Sequence, residues 1–272
     1  MLCIFAGNSI YYRKFFVLTG APMLGVFCII CCIGTLAGWA LLNRIAYAVH
    51  RPWCKKINAH ISTVVAHRIF SIFSAYLNFR FKGDYTLVPQ LPEQYLLISN
   101  HQSILDIVVY MNYLGGKRVR FVAKKELADY VPLVSVMLKS DEHCLVQRTG
   151  SPSQAMQAMD SFAQRVIRND WIPILFPEGT RSKNGDVGTF HSAGFRRFLS
   201  KAPMPVVVAA VDGGWNISSI TRMATNLRGG AYRVKVLKIY PTPTAKETQL
   251  KVLSEGKELI QAQLQAWRNQ NR

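Results

Sequence analysis

Two short stretches of this sequence hold the residue types that could do chemistry. In the first, residues 100–106 read Asn-His-Gln-Ser-Ile-Leu-Asp and directly follow an apolar run at 95–98. Imidazole titrates near neutral pH and acts as a general base, and a nearby carboxylate can hold the ring in one tautomer. His101 and Asp106 are therefore the candidate catalytic pair for a reaction that removes a proton from a hydroxyl group.

The second stretch, residues 176–182, reads Phe-Pro-Glu-Gly-Thr-Arg-Ser and follows another apolar run at 171–175. Arg181 is the candidate phosphate clamp, because guanidinium pairs with phosphate through two parallel hydrogen bonds. Gly179 allows a close backbone approach or a positive φ, and Thr180 with nearby amides adds donors. Together, the two stretches predict deprotonation of a hydroxyl on a phosphate-bearing substrate.

In this order, the two motifs resemble the glycerolipid acyltransferase family, typified by lysophosphatidate acyltransferase. The resemblance runs from about residue 95 to residue 211. It also implies a phosphate contact for Lys124, within Phe-Val-Ala-Lys-Lys-Glu-Leu at 121–127, and for Arg148, where the family usually has an arginine. Solvated surface charge is the competing interpretation of these two residues. Glu178 either orients Arg181, contacts the glycerol of the substrate, or forms only a structural salt bridge.

The sequence departs from the family pattern at three places. The proline and glycine that follow the lysine segment are reduced to Pro-Leu-Val-Ser at 132–135, and residues 142–147 replace a usual glycine and aspartate. His191 stands where a lysine is common. These changes leave the predicted chemistry intact, but they bear on which lysolipid is used.

The resemblance implies transfer of a fatty acyl group from a thioester to the free hydroxyl of lysophosphatidate, giving phosphatidate. The acceptor hydroxyl is itself the nucleophile, so no acyl-enzyme forms. The donor is acyl-CoA or acyl carrier protein, and no further cofactor or metal is expected. Another lysolipid acceptor (a lysophospholipid or an aminolipid-lysolipid) remains open. A non-catalytic protein that binds anionic membranes is a weaker alternative, because binding alone would not need the histidine–aspartate pair.

The charge balance favours membrane and anionic-substrate partners. The net charge is +18 and the sequence pI is about 9.9. Such a balance suits nucleic acid, an anionic bilayer or anionic small substrates. The basic residues are spread among apolar segments, and neither zinc-finger spacing nor an aromatic RNA-binding signature is present. We therefore expect membrane lipids, and no nucleic acid, as partners.

An uncharged span from Phe15 to Leu42 predicts a membrane anchor. As a helix it would reach roughly 42 Å, more than the ~30 Å hydrocarbon core requires. A cleaved signal peptide is the competing interpretation, but the apolar stretch is too long for one. More basic residues follow the span than precede it, which predicts attachment to the inner (cytoplasmic) membrane with the catalytic domain in the cytoplasm.

A second apolar segment, residues 57–79, carries polar residues at helical spacing. Its predicted apolar side holds Ile57, Ile61, Val64, Val65, Ile69, Ile72 and Tyr76, with Arg68 among them. This pattern favours a helix lying in the membrane interface, and an amphipathic helix packed on the catalytic domain is the alternative. We therefore predict an anchor and interfacial helix over residues 1–82 and a catalytic domain over 83–272.

Apolar strand-like runs alternate with helical stretches from residue 84 onward. The predicted strands are Tyr95–Ser99, Val119–Ala123, Cys144–Gln147, Trp171–Phe176, Pro205–Val211 and Tyr232–Tyr240. The predicted helices are Gln102–Leu114, Glu126–Lys139, Pro152–Arg168, Phe190–Leu199 and a last one from Thr244, capped through Glu247, toward Trp267. This alternation predicts an α/β fold with a largely parallel or mixed sheet flanked by helices. The resemblance implies the fold of the glycerolipid acyltransferases behind N-terminal membrane helices.

Both motifs fall at predicted strand ends, where sites form in such sheets. Asp106 would lie one turn into a helix that Gln102 opens, close enough to fold back beside His101. Asn100 is expected to fix the intervening turn by side-chain bonding to the backbone. The scattered cysteines imply no disulfide framework.

Overall fold

The computed structural model describes residues 26–27, 30–116, 118–130, 132–147 and 151–270. The strands are β1 (Arg80–Asp84), β2 (Leu96–Ser99), β3 (Val119–Lys124), β4 (Cys144–Val146), β5 (Ile172–Leu175), β6 (Val206–Asp212) and β7 (Ala231–Tyr240). The helices are α1 (Ile30–Val49), α2 (Arg51–His60), α3 (Ala66–Leu77), α4 (Leu105–Tyr113), α5 (Lys125–Tyr130), α6 (Pro132–Ser140), α7 (Pro152–Arg168), α8 (Ser192–Lys201), α9 (Ile220–Asn226) and α10 (Lys246–Asn269).

The seven strands form one mixed sheet in the order β1-β7-β6-β2-β5-β3-β4. Five strands run parallel, from β6 through β2, β5 and β3 to β4, while β7 lies antiparallel to β6 and parallel to β1. The predicted mixed α/β sheet flanked by helices is confirmed. Because β2 and β5 are parallel neighbours, their carboxyl ends lie side by side, and each is followed by one of the two motifs.

The core has two halves, one on each face of the sheet. Side chains of a strand alternate between faces, so Leu97 joins the half under α3 and α4, whereas Leu96 and Ile98 join the half under α7, α8 and α10. All four residues of β2 and of β5 are buried. Such two-sided burial is typical of central parallel strands and gives the site a rigid support.

Among the described residues, one helix is long and apolar enough to cross a membrane. This is α1, Ile30–Val49, and only 17% of its apolar window is buried. Exposed apolar side chains on it include Ile33, Leu41, Ile45 and Val49. Residues 15–25 of the predicted anchor lie outside the described residues.

The segment predicted to lie in the interface consists of consecutive helices that pack on α4, α6 and the edge of the sheet. A π-helical turn, Ile61–Val65, joins α2 to α3. The buried side chains lie along one face: Cys54, Asn58, Val65, Phe73 and Leu77. This face differs from the predicted apolar side, because Ile72 is exposed while its neighbour Phe73 is buried. For this buried face, the structure agrees with the alternative prediction of an amphipathic helix that packs on the rest of the protein. Contact of the opposite face with a membrane stays a prediction.

Asn58 attaches these helices to the domain through polar contacts. Its Nδ2 donates to Ser140 Oγ at 2.6 Å and to Asp141 Oδ1 at 2.7 Å, in the turn that follows α6. Asn43 of α1 donates in turn to Asn58 Oδ1 at 2.5 Å. These bonds satisfy the buried amide of Asn58, which would be costly to leave unpaired.

Two predicted helices can be compared with the structure at their ends. The helix predicted at 126–139 corresponds to α5 and α6, which flank Val131, a residue outside the described ones. The predicted capping box at Thr244 does not form. Instead, Ala245 is the N-cap of α10 without a side-chain cap, and Thr248 Oγ1 donates to the Ala245 carbonyl.

Strand β1 and helix α9 were not predicted. Both are short, and β1 (Arg-Phe-Lys-Gly-Asp) is stabilised by pairing with β7 rather than by its own apolar pattern. The predicted domain boundary after residue 82 falls inside β1, so the sheet begins at Arg80. The division into domains otherwise stays a prediction.

Candidate active site

The two motifs meet at the carboxyl ends of β2 and β5. Residues 100–106 leave β2 and enter α4, while residues 176–182 leave β5. A backbone hydrogen bond of 2.7 Å from Ser182 N to the His101 carbonyl joins the two segments directly. The structure therefore brings together the histidine, the aspartate and the arginine-bearing turn.

His101 and Asp106 are in direct contact. His101 Nδ1 lies 2.6 Å from Asp106 Oδ2. The His101 ring stacks on Phe176, with ring centroids 4.2 Å apart and an interplanar angle of 12°. Since Asp106 holds Nδ1, a proton on that nitrogen leaves Nε2 with a free lone pair. The pair thus has the geometry of a general base with its orienting carboxylate.

Asp106 is fully buried and accepts hydrogen bonds from several sides. Oδ2 also accepts from Gln102 N at 2.7 Å and from Ser103 N at 3.0 Å. Oδ1 accepts from the hydroxyl of Tyr232 on β7. Burial, together with Asp106, raises the pKa of the Tyr232 hydroxyl well above its usual value, so the hydroxyl remains a donor. These donors stabilise the ionised carboxylate and fix its direction.

Asn100 acts differently from the prediction. Its side chain bonds not to its own turn but to β6: Nδ2 donates to the Val211 carbonyl at 2.9 Å, and Val211 N donates to Oδ1 at 3.0 Å. This reciprocal pair continues the β2–β6 ladder one position past Ser99, which pairs with Ala209. The helix opens at Leu105 rather than Gln102, so Asp106 lies in its first turn.

Glu178 is buried and bonded to two backbone amides. Oε1 accepts from His101 N at 2.8 Å and Oε2 accepts from Gly188 N at 2.8 Å. Burial raises the pKa of the carboxyl. Pairing with Arg181, one of the three predicted roles, does not form. Glu178 instead links His101 to the loop that follows Arg181.

An apolar cavity of about 360 Å³ opens beside His101. Its apolar lining comes from Ile104, Phe121, Val122, Leu127, Val146, Met159, Leu175 and Phe195, among others. The polar groups on its wall are His101, Lys124, Thr180, Arg181 and His191. An apolar chamber with a few converging polar groups is typical of a site for an amphipathic ligand.

Four of the six predicted substrate-binding residues line this cavity, namely Lys124, Gly179, Thr180 and Arg181, whereas Glu178 does not. Gly179 has a φ of +64°, as the sequence allowed, and lines the wall beside Thr180 and Arg181. Arg181 and Lys124 are exposed at the cavity and form no ion pair with a described residue. Arg148 lies outside the described residues. The binding roles of all these residues stay predictions.

Two further histidines, His143 and His191, lie in different surroundings. His143 is buried and accepts a hydrogen bond from Phe121 N at 2.9 Å, a structural contact within the sheet. His191 is exposed, serves as the N-cap residue of α8 and lines the cavity. Within the described part of the chain, no group of three or more metal-ligating side chains is present.

Sequence reasoning missed Tyr232 and the full part played by Gln102. Gln102 is buried and links three loops: Nε2 donates to Gly185 O and to Asp212 Oδ1, and Oε1 accepts from Gly214 N at 3.1 Å. A close approach here requires glycine, because a Cβ on Gly214 would lie 2.3 Å from the Tyr232 hydroxyl oxygen. No short motif marks these partners, which lie between 83 and 126 residues away in the chain.

Comparisons with known proteins find similar acyltransferases. Residues 81–212 match the family model described as Acyltransferase. The chain is 32% identical over 128 residues to the 1-acyl-sn-glycerol-3-phosphate acyltransferase of Cocos nucifera, covering 46% of this chain and 40% of that protein. It is 26% identical over 226 residues to the 1-acyl-sn-glycerol-3-phosphate acyltransferase alpha of Bos taurus, covering 80% of this chain and 73% of that protein.

Among solved structures, the 1-acyl-sn-glycerophosphate (LPA) acyltransferase of Thermotoga maritima has a similar fold. The TM-score is 0.67 at 16% identity, over 91% of this chain and 96% of that one. The matched region spans about half the length or less of two relatives. These are the Cocos nucifera protein and the 1-acyl-sn-glycerol-3-phosphate acyltransferase beta of Homo sapiens.

The fold, the paired motifs and the match of residues 81–212 to the family model indicate an acyltransferase domain. In sequence the chain is similar to the 1-acyl-sn-glycerol-3-phosphate acyltransferases.

Proposed function

We propose that this protein transfers a fatty acyl group from a thioester to the free hydroxyl of lysophosphatidate, producing phosphatidate. The observation that carries the proposal is the His101–Asp106 pair at an apolar cavity whose wall also holds Arg181. The pair supplies a base, the cavity suits an acyl chain, and the arginine suits a phosphate. The named activities of the relatives point the same way.

In the proposed reaction, the acceptor hydroxyl approaches His101 Nε2. Its oxygen attacks the thioester carbonyl carbon while Nε2 takes the hydroxyl proton. Asp106 stabilises the imidazolium that forms, because its carboxylate already faces Nδ1. The carbon–sulfur bond then breaks, the ester remains on the acceptor, and the imidazolium returns its proton to the departing thiolate. No residue of the protein becomes acylated.

We also propose that the enzyme works at a membrane. The exposed apolar residues of α1 form a surface that is expensive to leave in water. The net charge of +18 favours an anionic bilayer. The basic residues that follow the apolar span favour a cytoplasmic catalytic domain attached to the inner membrane. The donor is acyl-CoA or acyl carrier protein, and an apolar helix at the N-terminal side brings the cavity close to its lipid substrates.

The acceptor is tested with purified protein in detergent, labelled acyl-CoA and a panel of lysolipids with and without a terminal phosphate. We expect lysophosphatidate to be preferred. Arg181→Lys should lose most of that preference despite its charge, because an ammonium group cannot reproduce the two-pronged contact. The loss should appear in the KM for the lysolipid, and in kcat too if the contact positions the hydroxyl. The KM for the donor should stay within about twofold of wild type.

A different lysolipid acceptor is the competing proposal, and His191 at the cavity wall is the observation that favours it. A lysine is common at this place in the family, and a histidine carries less positive charge at neutral pH. If the wild type prefers a phosphate-free acceptor and Arg181→Lys does not change that preference, lysophosphatidate is not the substrate.

A further inference from the structure

The loop of residues 182–188, which follows Arg181, has little regular structure of its own. Two exposed asparagine and aspartate side chains, Asn184 and Asp186, bond each other at its tip. The loop is held at its first residue by the hydrogen bond from Ser182 N to the His101 carbonyl. It is held at its last residue by the hydrogen bond from Gly188 N to the Glu178 carboxylate. Arg181 directly precedes this loop, and contacts to the middle of the loop add to the two hydrogen bonds that fix its ends.

Arg268, at the end of α10, reaches the middle of the loop. Its Nη2 donates to the Gly185 carbonyl at 2.7 Å, and its Nη1 lies 2.9 Å from Asp186 Oδ1. Asp186 is 65% exposed, so the ion pair is screened by solvent and contributes little. The bond to the Gly185 carbonyl is the stronger hold, since this group is buried and a charged donor strengthens the bond.

The fit around Gly185 shows that the contact is closely packed. Gly185 has a φ of +86°, which favours glycine. A Cβ at this position would lie 2.5 Å from the Trp215 ring and 2.6 Å from Arg268 Nη2. The loop thus passes between an indole and a guanidinium with no room for a side chain.

The same contact connects to the catalytic histidine. The Gly185 carbonyl also accepts a hydrogen bond from Gln102 Nε2 at 3.3 Å, and Gln102 directly follows His101. Asp212, at the end of β6, lies 3.1 Å from Gln102 Nε2 and 3.8 Å from Arg268 Nη2. Arg268, Asp212 and Gln102 form one polar cluster under the loop.

We propose that Arg268 is a positioning residue that holds the 182–188 loop so that Arg181 meets the anionic group of the acceptor. The inference rests on the proposed function for the identity of that acceptor. Arg268 is not among the residues that line the cavity. It acts through its hydrogen bond to the Gly185 carbonyl. Gln102 donates to the same carbonyl, so this contact also fixes the position of the loop relative to His101.

The kinetic test compares Arg268→Ala, Arg268→Lys and the control Lys251→Ala. Lys251 lies on the same helix, and its substitution removes the same charge from an exposed pair with Glu255. For Arg268→Ala we expect a roughly tenfold rise in the KM for lysophosphatidate and a donor KM within about twofold of wild type. Arg268→Lys should be intermediate, because one ammonium group can still reach the carbonyl. The control should match the wild type.

A second measurement does not depend on activity. Trypsin cleaves after Arg181 and after Lys183, both in or beside the loop, and mass spectrometry of the resulting peptides gives the rate at each site. We expect these two cleavages to be several-fold faster in Arg268→Ala than in the wild type or Lys251→Ala, with cleavage elsewhere unchanged.

The outcomes separate the two proposals. Unchanged cleavage after Arg181 and Lys183 in Arg268→Ala overturns the positioning role, as does an equal loss for donor and acceptor with a lowered melting temperature, which would indicate a merely structural residue. Faster cleavage in a protein whose wild type does not acylate lysophosphatidate supports the bracing of the loop and overturns the proposed acceptor alone.

Discussion

The carboxylate of Asp106 is the most constrained group in the site. Its two oxygens face the His101 ring, two backbone amides and the Tyr232 hydroxyl, and the carboxylate itself is fully buried. A carboxylate held in this way cannot turn from the imidazole without losing several hydrogen bonds to a charged group. The ring of His101 is held from below by Phe176. Histidine orientation is thus fixed before any substrate binds.

Replacing either member of the pair should abolish most of the activity. We expect His101→Ala to lower kcat by about 10²–10⁴-fold, the usual contribution of one proton-transfer group. Asp106→Asn should be nearly as damaging, since an amide favours the wrong tautomer of His101. The measurement is acyl transfer to lysophosphatidate by protein recovered from membranes in wild-type amounts. Turnover near wild type in His101→Ala would refute the proposed base.

The contact between His101 and Asp106 could be predicted from the sequence because both residues lie within one short turn. The long-range partners could not. Tyr232 reaches Asp106 across 126 residues, and its sequence neighbours read as an ordinary strand. Glu178 was visible as a candidate, but its amide partners were not, because a backbone N–H carries no sequence signal. Arg268 likewise looks like a surface charge at a helix end until the fold places it against the loop.

Elements were predicted well where the apolar pattern was strong. Helix α7 begins and ends where expected, at Pro152 and Arg168, with a proline at its start. The pattern failed where packing against the rest of the domain decides the structure. Residues 57–77 contain apolar side chains on more than one face, and contact with the domain determines that Phe73 and Leu77, rather than Ile72, are buried. Periodicity alone could not choose between these faces.

The helical segment before β1 should contribute to membrane attachment in two separable ways, through α1 and through the exposed face of α2 and α3. Deleting residues 1–41 removes most of α1 but keeps Asn43, which donates to the buried Asn58. We expect part of the truncated protein to remain on anionic vesicles through the exposed face of α2 and α3 and the basic charge. High salt should then release more of the truncated protein than of the full chain in a sedimentation assay.

Two results would bear against this prediction. Complete solubility of the truncated protein at low salt would mean that α2 and α3 only pack on the domain. Salt-resistant binding equal to that of the full chain would mean that α1 adds nothing to attachment. Lys251→Ala in the truncated background provides a control for the loss of one positive charge outside this segment.

The stability of the whole molecule should depend on pH through His143, which is buried in its neutral form. Burial, together with the nearby Arg120, lowers the pKa of His143 to about 3 from an ordinary value near 6.5. The unfolded chain therefore takes up a proton at this position as the pH falls below about 6.5, whereas the folded protein does not until about pH 3. Since the unfolded state then binds more protons, the free energy of unfolding decreases as the pH falls through this window.

His143→Asn should weaken this pH dependence. Its Oδ1 can accept the Phe121 amide in place of Nδ1, and it does not titrate. We expect the melting temperature of the detergent-solubilised variant to fall less between pH 7.5 and pH 5 than that of the wild type. Because both proteins contain the same carboxylates, the effect of these groups on the change in melting temperature with pH cancels when the two proteins are compared. Equal slopes would show that His143 is not the titrating group.

Pairing between distant strands also has a consequence for the time at which this protein becomes active. Strand β1 finds its partner only when β7 has been synthesised, since Arg80 pairs with Ala231. The Gly185 loop waits for Arg268, 83 residues further on. Contacts of such high sequence separation form late and slowly. While a ribosome is still adding α10, the apolar helix α1 is long exposed, so the chain can meet the bilayer well before its acyltransferase centre is complete. Delivery would then precede activation.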